Sequence, residues 1–170
     1  MLAACSAPAA RLHGTVFSPP KPAAEFRLTD QNGRPFELSQ ARGQLVTLYF
    51  GFTHCKDVCP QTLVLLSKAR ALAKLSPGPR IIMITVDPKA DTPPALRAFF
   101  GKLHVNATGL TGPRTTLAAV YKNYGIAVEP QNHDIAHTDV IFLIDSKGAI
   151  REILDPETSP ASIAADMRAV

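Results

Sequence analysis

An apolar strand that leads directly into a cysteine-containing helix start is the feature that most constrains how this chain folds. Residues 45–50 (LVTLYF) form a nearly continuous apolar run, which is typical of a central strand buried on both faces. The string GFTHCKDVCP follows at residues 51–60, and Pro60 suits the first position of a helix, where its missing N–H costs nothing. Cys55 and Cys59 are therefore expected in the turn between a buried strand and a helix.

The rest of the chain alternates between strand and helix patterns. The pattern predicts an α/β sandwich, in which a mixed central sheet is flanked by helices on both faces and carries an added N-terminal β-hairpin. The expected elements are a hairpin over 26–38 with Asn-Gly near its tip, strands at 45–50 and 81–86, helices from 60, 92 and 113, an irregular stretch at 126–136, a hairpin over 140–154 and a closing helix at 159–167.

Composition indicates one globular domain of ordinary character. The chain has 170 residues, of which 46% are hydrophobic and 19% charged. Its net charge is +4, but the 18 Lys and Arg residues are scattered without a run of five, so nucleic-acid binding is not expected. No stretch of 18 apolar residues occurs, so the sequence contains no candidate membrane span.

The amino terminus is similar to a processed secretion signal. Residues 2–5 (LAAC) resemble a bacterial lipobox, although a cysteine that is there by chance is the alternative interpretation. The Pro- and Ala-rich residues that follow predict an extended spacer, so we divide the chain into a lipobox stub with a tether (1–24) and a globular body (25–170). On this interpretation Cys5 is lipidated and the body lies outside the cytoplasm, where disulfides persist.

The spacing of Cys55 and Cys59 favours either a redox pair or a soft-metal site. The positive end of a helix favours thiolates, which both disulfide exchange and metal capture require. Each familiar alternative fits poorly. Thioredoxin-type pairs have two intervening residues rather than three, a zinc ribbon needs a second cysteine pair, and a peroxidatic cysteine stands alone with a threonine three positions earlier. A structural disulfide or two buried thiols is the remaining interpretation.

Histidine is the natural third ligand for such a pair. The chain has histidines at positions 13, 54, 104, 133 and 137, of which the last two precede the predicted strand at 140–144. A histidine in such a loop is more often an ordinary surface residue than a ligand. However, the functional loops of an α/β sheet gather at one edge, where a distant loop can return to the cysteines.

Three strings in order resemble the Sco family of copper chaperones: GFTHCKDVCP (51–60), TVDPKADTP (85–93) and HTDVIFLID (137–145). The similarity covers about residues 25–168. It implies a thioredoxin-like fold that holds one copper ion through two cysteines and a distant histidine. It also implies a role in maturing the binuclear copper centre (CuA) of cytochrome c oxidase subunit 2.

Carried over by position, the resemblance implies that Cys55, Cys59 and His137 bind copper and that Asp87 acts in copper transfer rather than in binding. Three positions depart from the family pattern: Lys56 and Ala90 replace a common proline and arginine, and Ala136 replaces an aspartate found before the histidine in many relatives. Because metal-bound imidazoles usually donate their other N–H to an acceptor, we expect Asp134 or Asp139 to substitute for that aspartate.

The predicted function is therefore a monomeric copper chaperone rather than an enzyme. It would sit on the periplasmic side of the inner membrane, held by the lipid on Cys5, and pass copper from an upstream donor to cytochrome c oxidase subunit 2 or another cuproprotein. Soft thiolates select Cu(I), and imidazole suits either oxidation state of copper. The alternative is a thiol–disulfide reductase that uses Cys55 and Cys59 to keep the cysteines of a partner's copper site reduced.

Overall fold

The computed structural model describes residues 11–131 and 134–170. It does not describe the side chains of residues 130, 131 and 134, and Cys5 and His133 lie outside the described residues. The strands are β1 (Thr15–Pro22), β2 (Arg27–Asp30), β3 (Pro35–Glu37), β4 (Val46–Gly51), β5 (Arg80–Thr85), β6 (Thr108–Thr111), β7 (Val128–Gln131), β8 (Asp134–His137), β9 (Ile141–Ile144) and β10 (Ala149–Leu154). The α-helices are α1 (Val58–Ala73), α2 (Pro93–Leu103), α3 (Arg114–Tyr124) and α4 (Pro160–Ala169).

The sheet is mixed, as the sequence predicts. Eight strands lie in the order β1-β10-β9-β4-β5-β6-β2-β3, while β7 and β8 form a separate two-stranded ribbon. β4, β5 and β6 are parallel neighbours, and the other pairs in the large sheet are antiparallel. The predicted N-terminal hairpin is confirmed, because β2 pairs with β3 and places Leu28 opposite Phe36.

The two faces of β4 carry different helices. Tyr49 and Phe50 are both fully buried, and successive side chains on a strand point to opposite faces. The Phe50 ring packs against Tyr121 and Tyr124 of α3, at centroid distances of 6.1 and 5.7 Å. Tyr49 lies beside Cys59 of α1, and α1 packs against α4.

Two helix ends form as their sequences predict. The Thr92 side chain accepts a hydrogen bond from the Ala95 N–H at the start of α2, ahead of two prolines in its first turn. α3 ends at Gly125, whose φ of +68° is the left-handed conformation that glycine favours. In the described part of the chain, no helix is both long and apolar enough to cross a membrane.

The predicted boundary between tether and body at residue 24 differs from the structure. Residues 15–22 form β1, which pairs antiparallel with β10 at the edge of the sheet and brings Thr15 opposite Ile153. Its prolines mask the strand pattern in the sequence. They are tolerated here because an edge strand needs hydrogen-bonding groups on one side only. The folded body therefore begins before β1.

The stretch at 126–136, predicted to be irregular, contains most of the β7–β8 ribbon. The two strands pair antiparallel, so that Val128 lies opposite His137. A proline within β7 and the short, polar composition of both strands hide the alternation that identifies longer strands. β6 was also not predicted, since its four residues include Gly109 and two threonines.

A buried pair of carboxylates fastens the segment before β1 to the body. Glu152 of β10 and Asp166 of α4 are 0% and 1% exposed. The Gly14 N–H donates to Glu152 Oε2 at 3.0 Å, and His13 Nδ1 lies 2.7 Å from Asp166 Oδ1. Burial is the main reason that the pKa of Glu152 is raised to about 7, and the nearby Asp166 adds to the rise.

Glu152→Gln is expected to remove part of the pH dependence of stability. The pKa of Glu152 is higher in the folded chain (about 7) than its ordinary value of 4.5 in the unfolded chain. Between pH 4.5 and about 7, Glu152 is therefore protonated in the folded state and ionised in the unfolded state. Stability therefore falls as pH rises through this window and is flat above it. Between pH 5 and pH 8 the melting temperature of the parent should fall by roughly 5 °C more than that of the variant. The exposed Glu157→Gln serves as the control, and an equal pH slope in parent and Glu152→Gln would contradict the expectation.

Candidate copper site

The cysteines lie just beyond the carboxyl end of β4, as the sequence predicts, but α1 begins at Val58 rather than at Pro60, so Cys59 lies within the helix. Cys55 is half-buried in the loop after β4, and Cys59 is fully buried in the first turn of α1. Both are free thiols, and the Cys59 N–H donates to Cys55 Sγ at 3.3 Å. This hydrogen bond confirms that Cys55 curls over the start of the helix.

The two thiols have different environments, which the sequence analysis did not anticipate. Burial raises the pKa of Cys59 to about 12, although hydrogen bonds from the Phe52 backbone N–H and the Tyr49 hydroxyl lower it in part. The expectation of a thiolate at neutral pH is therefore wrong for Cys59. Its proton must leave when the sulfur binds a metal or forms a disulfide.

Tyr49 is a neighbour of the site that sequence reasoning missed. Its hydroxyl lies close to the Cys59 thiol and the Asp139 carboxylate, and its pKa is raised, first by burial and then by Cys59. Within the described chain, neither this hydroxyl nor Asp139 Oδ1 has a hydrogen bond of good geometry. Strand alternation in the sequence places Tyr49 and Gly51 on one face of β4. In the structure that face meets Cys59, so the alternation was the signal for Tyr49.

His137 lies at the end of β8, on the same edge of the sheet as the cysteines. β4 and β9 are antiparallel neighbours, so the end of β4 and the approach to β9 meet at that edge. The His137 ring packs edge-on against Phe52, with the ring centroids 6.0 Å apart. The backbone N–H of the same Phe52 lowers the pKa of Cys59, against the effect of burial, so Phe52 neighbours both the imidazole and the thiol.

The orientation of the His137 ring has a defined cause. Nδ1 lies 3.0 Å from the Thr138 carbonyl oxygen. Because a carbonyl only accepts hydrogen bonds, Nδ1 is the donor here, and Nε2 is the nitrogen left to bind a metal. The backbone thus supplies the acceptor for which the sequence suggested Asp134 or Asp139. The Asp134 side chain lies outside what the structure describes.

The structure brings the predicted ligands to one edge of the sheet but does not place all three within coordinating distance of one metal ion. Among the described residues, no group of three His, Cys, Asp or Glu side chains is arranged to hold a metal ion. Cys55 and Cys59 are joined by the hydrogen bond from the Cys59 N–H to Cys55 Sγ, whereas the His137 ring packs against Phe52. Coordination by all three requires His137 and the sulfurs to move closer together.

Asp87 lies just beyond the end of β5, the strand next to β4. Its N–H donates to Thr85 Oγ1 at 2.9 Å, and its Oδ1 accepts from the Ala90 N–H at 3.4 Å. It lines a groove of about 360 Å³ together with Tyr121 and with Val128 and Ile135 of the β7–β8 ribbon. Asp87 is therefore close to the ribbon that carries His137.

The family model for SCO1/SenC matches residues 18–170, which is nearly the whole described chain. This chain belongs to the SCO1/SenC family. The resemblance stated from the three sequence strings is thereby confirmed.

Individual members of the SCO1/SenC family agree with this assignment. The mitochondrial SCO2 homolog of Bos taurus is 33% identical over 153 residues, which cover 85% of this chain and 58% of that protein. The chain thus spans less than two thirds of this relative's length.

Solved structures in the same family confirm the thioredoxin-like fold. Bradyrhizobium japonicum ScoI with copper bound has a TM-score of 0.77 and 30% identity, and the match covers 86% of this chain and 97% of that one. Apo Sco1 from Thermus thermophilus has a TM-score of 0.82 and 28% identity, and covers 96% of this chain and 99% of its own.

Proposed function

We propose that this protein is a copper chaperone that binds one copper ion through Cys55, Cys59 and His137 Nε2. The observation that carries the proposal is the meeting, at one sheet edge, of two free thiols and an imidazole whose Nδ1 is already engaged. The copper-bound state of a solved family member supports the choice of metal. Two thiolates select Cu(I), and three ligands leave the site open enough to release the ion.

The target that we propose is the CuA site of cytochrome c oxidase subunit 2 or a similar copper site in another protein. On this proposal the chain acts as a monomeric carrier rather than as an enzyme and receives copper from an upstream donor. Asp87, in the groove beside the ribbon with His137, would act in transfer. Lipidation of Cys5 would hold the body on the periplasmic side of the inner membrane, and mass spectrometry of the mature amino terminus tests that anchor.

His137→Ala is expected to weaken copper binding at least about tenfold and to change the absorption spectrum of the Cu(II) form, because one of three ligands is lost. The measurement is titration of the reduced protein with copper in the presence of a competing chelator. The parent should bind one ion per chain. His54→Ala is the matched control, since this exposed histidine lies next to Cys55. If His137→Ala retains the affinity and spectrum of the parent, the proposed ligand set is wrong.

A second function, thiol–disulfide reduction, is favoured by the difference in burial between the two thiols. In this reaction the half-buried Cys55 thiolate attacks a target disulfide and releases one target thiol, leaving a mixed disulfide. Cys59 loses its proton and displaces the second target thiol, so the target is reduced and Cys55 and Cys59 become joined. Rapid turnover with a disulfide substrate that is unchanged by His137→Ala would favour this function over copper delivery.

A further inference from the structure

Asp91 is a buried carboxylate that connects the cysteine loop to the neighbouring strand. It is 0% exposed and lies in the segment between β5 and α2. Thr53 donates to it from both its backbone N–H (3.2 Å to each oxygen) and its hydroxyl (2.5 Å to Oδ1). The Thr85 hydroxyl donates to Oδ2 at 2.6 Å. Oδ1 thus accepts from Thr53, and Oδ2 accepts from both Thr53 and Thr85.

These hydrogen bonds reach the site on both sides. Thr53 is two residues before Cys55 in the loop after β4. Thr85 ends β5, lies opposite Gly51 in the parallel register and accepts a hydrogen bond from the Asp87 N–H at 2.9 Å. Asp91 also donates its own N–H to the Asp87 carbonyl at 2.9 Å. One carboxylate therefore fixes the loop of Cys55 relative to the loop of Asp87.

A carboxylate is a costly way to hold a loop unless its charge or its capacity to accept hydrogen bonds is needed. The ion pairs formed by described residues do not include Asp91. Burial is the main reason that its pKa is raised, and hydrogen bonds from Thr53 and Thr85 oppose the rise. The hydroxyl contacts of 2.5 and 2.6 Å are in the range of O–H donors to an ionised acceptor.

We propose that Asp91 is a positioning residue for the copper site: through Thr53 it sets where Cys55 lies, and through Thr85 it holds Asp87 in register with it. The inference rests on the proposed copper-binding function. It assigns Asp91 no contact with the metal. An amide at this position would turn an NH₂ group toward one of the two threonine hydroxyls, so Asn cannot accept from all the donors that Asp91 satisfies.

The test compares Asp91→Asn and Thr53→Val with Asp30→Asn, all in a Cys5→Ser background that removes the third thiol. Asp30 is the matched control because it also accepts backbone N–H groups, in the β2–β3 turn, and β5 and β6 separate β2 from β4. The readouts are the electron paramagnetic resonance spectrum of the Cu(II) form and the rate at which a chelator removes Cu(I). Melting temperature is measured alongside.

Asp91→Asn should alter the copper hyperfine splitting and speed copper loss at least about tenfold, as expected when a group that orients a ligand is lost. Thr53→Val should change both readouts in the same direction but by less. The double variant Asp91→Asn/Thr53→Val should lose copper no faster than Asp91→Asn alone. Asp30→Asn should leave both copper readouts unchanged. A parent-like spectrum and release rate in Asp91→Asn would overturn the inference whatever its melting temperature, and if that variant does not fold, Thr53→Val decides in the same way.

If the parent binds no copper, the proposed function fails, and the inference is then decided by the chemistry of the thiol. The rate of Cys55 alkylation is measured against pH in the same variants. A changed pH profile in Asp91→Asn and Thr53→Val, but not in Asp30→Asn, would still support positioning of Cys55. Identical profiles in all three variants would overturn it.

Discussion

Cys59→Ser is expected to lower copper affinity at least about 100-fold, which corresponds to about 2.8 kcal/mol of binding free energy. The sulfur is one of two soft ligands, and a serine hydroxyl is a poor ligand for Cu(I). Cys59 is fully buried, but serine is close to cysteine in size, so the fold should survive the change. Competition between the reduced variant and a Cu(I) chelator measures the loss. An affinity equal to that of the parent would rule out Cys59 as a ligand.

Cys55→Ser provides the matched comparison, and both serine variants are made in a Cys5→Ser background. Copper binding should fall as much as in Cys59→Ser, because either change leaves only one thiol at the site. The remaining thiols should nevertheless differ in reactivity. Cys59 is fully buried and its pKa is raised to about 12, so iodoacetamide should modify it at least about ten times more slowly than it modifies Cys55 in the other variant. Equal rates would contradict the asymmetry of the pair.

The sequence was sufficient for the strands whose stability comes from burial on both faces. β4 and β5 consist mostly of apolar residues because helices cover them on both sides, and that composition survives in a single sequence. β1 and the β7–β8 ribbon lie at edges or outside the main sheet, so their residues have no such requirement. Prolines at positions 19, 20 and 22 could be placed only after β10 was known to lie on one side of β1.

The candidate site was predictable in its cysteines and less so in everything that depends on tertiary contact. The position of Cys55 over the start of α1 follows from local spacing, although α1 begins two residues before Pro60. The raised pKa of Cys59 does not, because it depends on how completely the surrounding elements bury the thiol. The choice of His137 over His133 came from family resemblance. Its Thr138 carbonyl partner is a backbone group that no residue pattern reveals.

Gly51→Ala is expected to damage both the stability of the protein and the geometry of the site. A Cβ atom at this position would lie 2.7 Å from Tyr49 Cε1 and 3.1 Å from Cys59 Sγ, closer than such atoms ordinarily pack. Tyr49 and Cys59 are fully buried and have little room to yield. Overpacking of this kind costs about 2 kcal/mol, which lowers the melting temperature of a protein of this size by roughly 6 °C. Any relief that moves the Cys59 sulfur should also weaken copper binding.

Gly101→Ala is the control for Gly51→Ala. Gly101 lies within α2, and a Cβ atom added there would meet nothing within 4 Å. Since alanine favours helices over glycine, this change should stabilise the protein by about 0.5 to 1 kcal/mol and leave copper binding unchanged. Opposite shifts in melting temperature, with copper affinity lowered only in Gly51→Ala, would show that close packing at Gly51 holds Cys59 in place. A Gly51→Ala protein as stable as the parent and with parent-like copper affinity would mean that β4 and α1 can separate at this point without cost.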